Sequence, residues 1–210
     1  MKPAKLMKIV TKKCAYNIVE NFEKAIAEYA GAKYGVAVDS CCNAIFLCLK
    51  YLAPQRVSIP VFTYPGVACA VKNSGAELYF DTKEWEGSYM FGAVSICDSA
   101  LRFKKDMYIK DTYYCLSFHA KKHLPIGRGG MILTDDKNAY EWFKKARFDG
   151  RNTVPLYEDK IDMIGYNMYL TPEQAARGLM LFETIKYKNL PDIDAKTQGY
   201  PDLSLIEAYK

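Results

Sequence analysis

Apolar and polar positions run along the chain in two rhythms. Between Val19 and Tyr29, Phe22, Ile26 and Tyr29 recur at three- and four-residue spacing, which gathers them on one face of a helix that Gly31 closes. Tyr34 to Val38 is a short apolar run, the mark of a buried strand. Asp39-Ser40 follows with side chains suited to cap a helix through Ala44, Leu47 and Leu52. Val57 to Ile59 predicts the next strand, stopped by Pro60. A short helix is expected at Val67 to Lys72 and a strand at Glu77 to Phe80. The apolar run Gly92 to Cys97 ends at Asp98. Further strands are expected at Tyr113 to Phe118 and Met131 to Thr134, then a helix at Lys137 to Arg147 with acidic residues near its start. Asp149 to Leu156 is rich in Gly, Arg and Asn and reads as a loop. Thr171-Pro172-Glu173 opens the last strong helix, through Ala175, Leu179 and Phe182, because proline is welcome in a first turn. After Leu190, Pro191, Gly199 and Pro201 break the pattern and leave one short helix at Leu203 to Tyr209.

Buried strands alternating with helices imply an α/β fold, a three-layer α/β/α arrangement around a mostly parallel sheet. Ligands of such sheets bind at the carboxyl ends of the strands. The candidate functional residues are therefore the polar ones just after strands: Asp39-Ser40, Thr63-Tyr64, Asp98 and Ser117 to Lys122.

Composition narrows the picture. With 210 residues, 50% hydrophobic and 25% charged, the chain can bury a sizeable core as one large domain or two small ones. No repeat occurs, and no apolar run approaches the ~20 residues of a membrane helix. The net charge of +5 permits an anionic ligand, but the basic residues are dispersed and nucleic acid is not indicated. Met1 to Lys13 is basic without a signal-like apolar core, so the protein reads as cytoplasmic. The 7 cysteines form no CxxC pair, and only His119 and His123 could assist a metal. They read as reduced, mostly buried thiols, with no metal site expected.

The most informative segment is Ser117-Phe118-His119-Ala120-Lys121-Lys122-His123-Leu124-Pro125-Ile126-Gly127-Arg128-Gly129-Gly130. A strand ends in serine, a lysine follows, and a glycine-rich turn leads into the next strand. The spacing resembles the cofactor-lysine signature of the DegT-type sugar aminotransferases, which are fold-type I enzymes dependent on pyridoxal 5′-phosphate (PLP). Counted from Ser117 or from Gly127, the matching lysine is Lys122, not Lys121. Other segments resemble the family in the same order: Asn21 to Tyr34, Val36 to Ala44, Pro60 to Tyr64, Asp98-Ser99-Ala100, Gly165-Tyr166-Asn167, and Thr171 with Gln174-Ala175-Ala176. The resemblance spans roughly Asn21 to Leu190 and implies an aminotransferase-like large domain.

It also implies roles. Lys122 is the Schiff-base lysine, and Asp98 is the acid that holds the pyridine nitrogen protonated, so the ring can act as an electron sink. Ser40, Cys41 and Cys42 stand where the family has Ser-Gly-Thr at the phosphate, with Ser117 adding a hydroxyl. Tyr64 takes the position of the aromatic that stacks on the ring. Asn167 matches an asparagine that reaches across a dimer to the neighbour's phosphate, which implies a homodimer with composite sites. The small-molecule partners implied are an amine donor and a keto acceptor, by analogy on a nucleotide-linked sugar.

The sequence also departs from the family. Cys41 replaces a glycine and Cys42 a hydroxyl donor. Leu101 stands where Gln or His is common, and Tyr169 where the family has Arg. Residues 1–190 are expected to form the PLP-binding large domain, and 191–210 an extension in place of the family's small domain. Two alternatives stay open beside the aminotransferase: a PLP enzyme of another reaction class, such as a decarboxylase or lyase on a non-sugar or nucleotide-type substrate, or a degenerate, non-catalytic PLP-fold protein.

Overall fold

Helix starts follow local capping chemistry. Ser40 Oγ accepts from the N–H of Asn43 at 3.2 Å and opens a helix over Cys41–Leu52. Asp136 Oδ1 accepts from the N–H groups of Asn138 and Ala139 at the next strong start, Lys137–Ala146. At the last one, Thr171 and Gln174 form a reciprocal capping box with Pro172 in the first turn. The computed structural model describes residues 12–210; of the basic stretch Met1–Lys13, residues 1–11 lie outside the described residues. The helices are α1 (Lys12–Ala30), α2 (Cys41–Leu52), α3 (Pro65–Ser74), α4 (Lys137–Ala146) and α5 (Pro172–Ile185). The strands are β1 (Tyr34–Val38), β2 (Arg56–Pro60), β3 (Glu77–Asp81), β4 (Tyr89–Met90), β5 (Ile96–Asp98), β6 (Tyr113–Ser117) and β7 (Gly130–Thr134).

One ladder runs β1-β7-β6-β5-β4, and β2 pairs with β3. A bridge from Ser58 to Gly92, with the Gly92 N–H donating to the Ser58 carbonyl at 2.9 Å, continues the order through β2 to β3. Strands β1, β2, β3, β5 and β6 share one direction, while β4 and β7 run against them. The expectation of a mostly parallel sheet therefore holds for strand direction. It does not hold for neighbours: only β2·β3 and β5·β6 pair in parallel. The reason lies in the connections. No helix separates β6 from β7, so β7 returns as an antiparallel neighbour.

Side chains sort to the two faces with period two. Val36, Val38, Ile96, Cys115 and Ile132 pack with α2, α3 and α4 in one core. Ala37, Cys97, Tyr114, Leu116, Met131 and Leu133 pack with α1 and α5 in the other. The fold is the three-layer α/β/α sandwich that the sequence pattern implied. Residues 191–210 lie against the first core, where Ala195 and Leu203 are buried. They are strapped there by Ile193 N–H to Leu101 O (3.0 Å), Leu203 N–H to Val61 O (3.0 Å) and the Asp192 carboxylate on Arg102 and Lys104. Among the described residues, no helix is long and apolar enough to cross a membrane.

Candidate active site

Several chain segments converge where the same-direction strands end. β1 ends at Val38 and delivers Asp39 and Ser40 to the start of α2. The N–H groups of Cys41 and Cys42 open that helix and have no partner within it. β5 ends at Asp98, which is 2% exposed. The loop after β2 carries Thr63 and Tyr64, and Tyr64 precedes the first turn of α3. β6 ends at Ser117, and residues 118–129 carry Lys122 out and back to β7. The N–H of Phe118 donates to Gly129 O (2.9 Å) and the N–H of Ala120 to Gly127 O (3.1 Å), so this loop extends the β6–β7 hairpin and has a defined shape.

These residues line one cavity of about 330 Å³. Seven of the eight expected site residues face it: Ser40, Cys41, Cys42, Tyr64, Asp98, Ser117 and Lys122. The eighth, Asn167, does not. It is exposed, and its Nδ2 donates to Asp149 Oδ2 at 3.2 Å. Lys121 also lines the cavity, but it is exposed whereas Lys122 is half-buried.

Electrostatics divide the two central groups. Burial pushes the Asp98 carboxyl above its usual range, against the opposing effects of the Ala100 N–H (2.9 Å), the Tyr89 hydroxyl and the Lys122 charge. Burial pulls the Lys122 ammonium below its usual value, against the opposing pull of Asp98. A buried carboxylate short of positive charge thus shares a cavity with an amine biased toward its neutral, nucleophilic form. Burial also pushes the Cys42 thiol up to about 12 and Cys41 well above its usual value, so both stay S–H. The Cys41 thiol lies 3.9 Å from Asp98 Oδ1.

Glycine makes the approach of β7 possible. A Cβ on Gly130 would stand 2.5 Å from the Ser40 carbonyl carbon and 2.6 Å from the Cys41 nitrogen. Gly127 holds φ at +114°, a conformation that favours glycine.

The cavity also contains residues that local pattern could not reveal. Trp85 is buried, donates from Nε1 to Phe62 O at 3.0 Å, and stacks on Tyr200 with ring centroids 6.3 Å apart. Tyr200 and Gln198 belong to the C-terminal strap. Thr63, a strand-end residue already singled out, is fully buried against the Tyr89 hydroxyl at 2.9 Å. Leu101 is fully buried in the core and does not line the cavity.

Residues 8–85 and 109–190 match the model of the DegT/DnrJ/EryC1/StrS aminotransferase family. The chain belongs to this family. Asp98 lies between the two stretches that match the DegT/DnrJ/EryC1/StrS model, and the strap lies beyond them. Among curated relatives, the chain is 26% identical to the spore coat polysaccharide biosynthesis protein SpsC of Bacillus subtilis, over 77% of this chain and 55% of that protein. It is 24% identical to a UDP-4-amino-4,6-dideoxy-N-acetyl-beta-L-altrosamine transaminase of Campylobacter jejuni, over 77% of this chain and 55% of that one. The chain therefore spans about half the length of the curated relatives it matches. Among solved structures, a putative PLP-dependent aminotransferase of Bacillus cereus superposes with a TM-score of 0.69 at 19% identity, covering 81% of this chain and 59% of that one.

Proposed function

We propose that the chain is a PLP-dependent aminotransferase, moving an amino group from a small-molecule donor such as glutamate to a keto group on a nucleotide-linked sugar. One observation carries the reading: Lys122 and Asp98, the two residues the chemistry most needs, reach one cavity from separate parts of the chain. The C. jejuni relative, named as a transaminase of a UDP-linked amino sugar, supports the substrate class.

The donor set fits the cofactor. The partnerless N–H groups of Cys41 and Cys42, with the hydroxyls of Ser40 and Ser117, suit a phosphate. Asp98, buried with its carboxyl raised, suits a protonated ring nitrogen, which would supply the missing positive charge. When bound, PLP supplies a carbonyl for an amine and an electron sink for the negative charge left when a proton departs. Lys122, biased toward its neutral amine, would hold the cofactor covalently and carry the proton at Nζ. Tyr64 would cover one ring face, and Thr63 with Tyr89 would brace the Asp98 wall. Asn167, outside the cavity of its own chain, would serve the phosphate of a second copy, making a homodimer. Cys41, Cys42, Cys48, Cys69, Cys97 and Cys115 are free thiols, and we assign the protein to the cytoplasm.

The test is the visible spectrum of the purified protein with added PLP, followed by incubation with glutamate. The reading expects an absorbance band and then pyridoxamine phosphate with release of 2-oxoglutarate. Absence of a band at saturating PLP refutes the cofactor reading. A band without 2-oxoglutarate moves the chain to another PLP reaction class.

A further inference from the structure

Arg128 sits between Gly127 and Gly129 in the turn that enters β7. Its side chain is 68% exposed, yet it is held on two sides: Nη2 donates to Asp39 Oδ2 at 2.8 Å and Nε to the Asp39 carbonyl at 3.3 Å. Asp39 immediately precedes Ser40, and Asn43 Nδ2 donates to its other carboxylate oxygen at 2.6 Å. Gly130 closes the arrangement from behind by packing directly on the Ser40–Cys41 backbone. The guanidinium is thereby fixed beside the start of α2, on the wall of the cavity shared by Ser40 and Ser117.

Two consequences follow from charge and donor count. Without Arg128, the Asp39 carboxylate would set a negative charge next to the N–H groups that suit a phosphate, and like charges at close range repel strongly. A guanidinium has five N–H donors, and the contacts to Asp39 use Nε and Nη2, leaving donors for an anion. Cys42, a weak S–H donor, adds little of its own at that place.

We propose that Arg128 is a phosphate-binding residue of the cofactor site, anchored by Asp39 so that it cancels the Asp39 charge and presents its remaining N–H groups to the phosphate. The inference rests on the cofactor reading above. Arg128 makes no contact with the reacting atoms in this assignment; it positions the cofactor.

Binding of PLP to the apoprotein, followed by visible absorbance and by the change in tryptophan fluorescence that a ligand beside Trp85 in the cavity wall would cause, tests it. Pyridoxal, which lacks the phosphate, is titrated in parallel. Arg128→Gln should weaken PLP binding by roughly 10- to 100-fold, the size of a lost charge-assisted contact, and leave pyridoxal binding unchanged. Arg128→Lys should recover part of the loss, because it keeps the charge without the fork. Inorganic phosphate should compete with PLP more effectively in the wild type than in Arg128→Gln. Equal PLP affinity in wild type and Arg128→Gln overturns the proposal. So does a parallel loss of PLP and pyridoxal binding, which would mark a structural role only. If the wild type binds neither compound, the cofactor reading itself fails and the proposal falls with it. If the wild type binds PLP, the Arg128→Gln comparison alone decides.

Discussion

At Gly130 the backbone of β7 lies flat against the turn between β1 and α2. An alanine there would place its Cβ 2.5 Å from the Ser40 carbonyl carbon, whereas ordinary contact begins at 3.4 Å. The shortfall, 3.4 less 2.5, is close to 0.9 Å, and backbone atoms cannot swing aside as a side-chain tip can. β7 is hydrogen-bonded to β1 on one side and β6 on the other, so the displacement falls mainly on the Ser40–Cys41 turn. Gly130→Ala should cost about 1–3 kcal/mol of stability by overpacking. In a chain of this size that lowers the melting temperature by about 3–10 °C. The same shift misaims the first N–H groups of α2, so PLP affinity should fall by about tenfold or more through weakened hydrogen bonds. Gly75→Ala is the control. It has open space around its Cβ but a φ of +93° at the end of α3, so it should lose stability through strain alone and keep its PLP affinity. Thermal denaturation without PLP and a PLP titration, run on both variants, decide the matter. The reasoning is wrong if Gly130→Ala melts and binds like the wild type, or if its affinity falls no further than that of Gly75→Ala.

Asp98→Asn should separate stability from function. Because burial raises the folded pKa above the unfolded one, the folded apoprotein binds the proton better and loses stability as pH rises through that window. The variant escapes this loss, so its apoprotein should melt higher than the wild type at neutral pH, with the advantage vanishing below the usual carboxylate range. Its turnover should fall by an amount worth about 2–4 kcal/mol in the barrier; unchanged turnover would make Asp98 structural. Borohydride reduction and peptide mapping of the PLP-treated protein should find the pyridoxyl group on Lys122; labelling at Lys121 would sink the assignment. Asn167→Ala and Lys122→Ala chains, each inactive alone, should regain activity when mixed, since some sites of the mixed dimer carry neither lesion. If the subunits exchange and no activity returns, the shared site is wrong.

Most of the framework was legible because it is local. The strand over Tyr34–Val38, the Ser40 cap and the Thr171 start depend on residues within a few positions of each other, and each lies where the pattern put it. The apolar run Gly92 to Cys97 ends in a strand at Asp98, but only its last part is strand. Ala93 adopts φ 71° at a hairpin tip where the Phe91 N–H meets Ile96 O, so only Ile96–Asp98 forms strand and the partner Tyr89–Met90 is too short to leave a periodic signal. The helix expected at Leu203 to Tyr209 breaks into two 3-10 turns at an extended Ile206. The candidate site was readable where its residues follow strands, since strand ends share one edge of the sheet. Trp85, Gln198 and Tyr200 were not, because they meet through contacts between distant segments that no spacing announces. The reversed direction of β7 could have been read from the absence of any helical pattern between Ser117 and Met131.

The buried Asp98 carboxyl has a consequence for the life of the molecule in a cell. Burial penalises the charged form of this carboxyl, so under the cofactor reading, in which a protonated ring nitrogen binds beside it, the empty chain is the more fragile species and the loaded chain the more durable one. Proteases and chaperones act on whatever opens most often, and a difference of 1–2 kcal/mol is typically enough to change abundance about several-fold. Steady-state amounts of this protein would then follow vitamin B6 supply without any regulator: starved cells would clear the empty chains, and replete cells would keep the loaded ones.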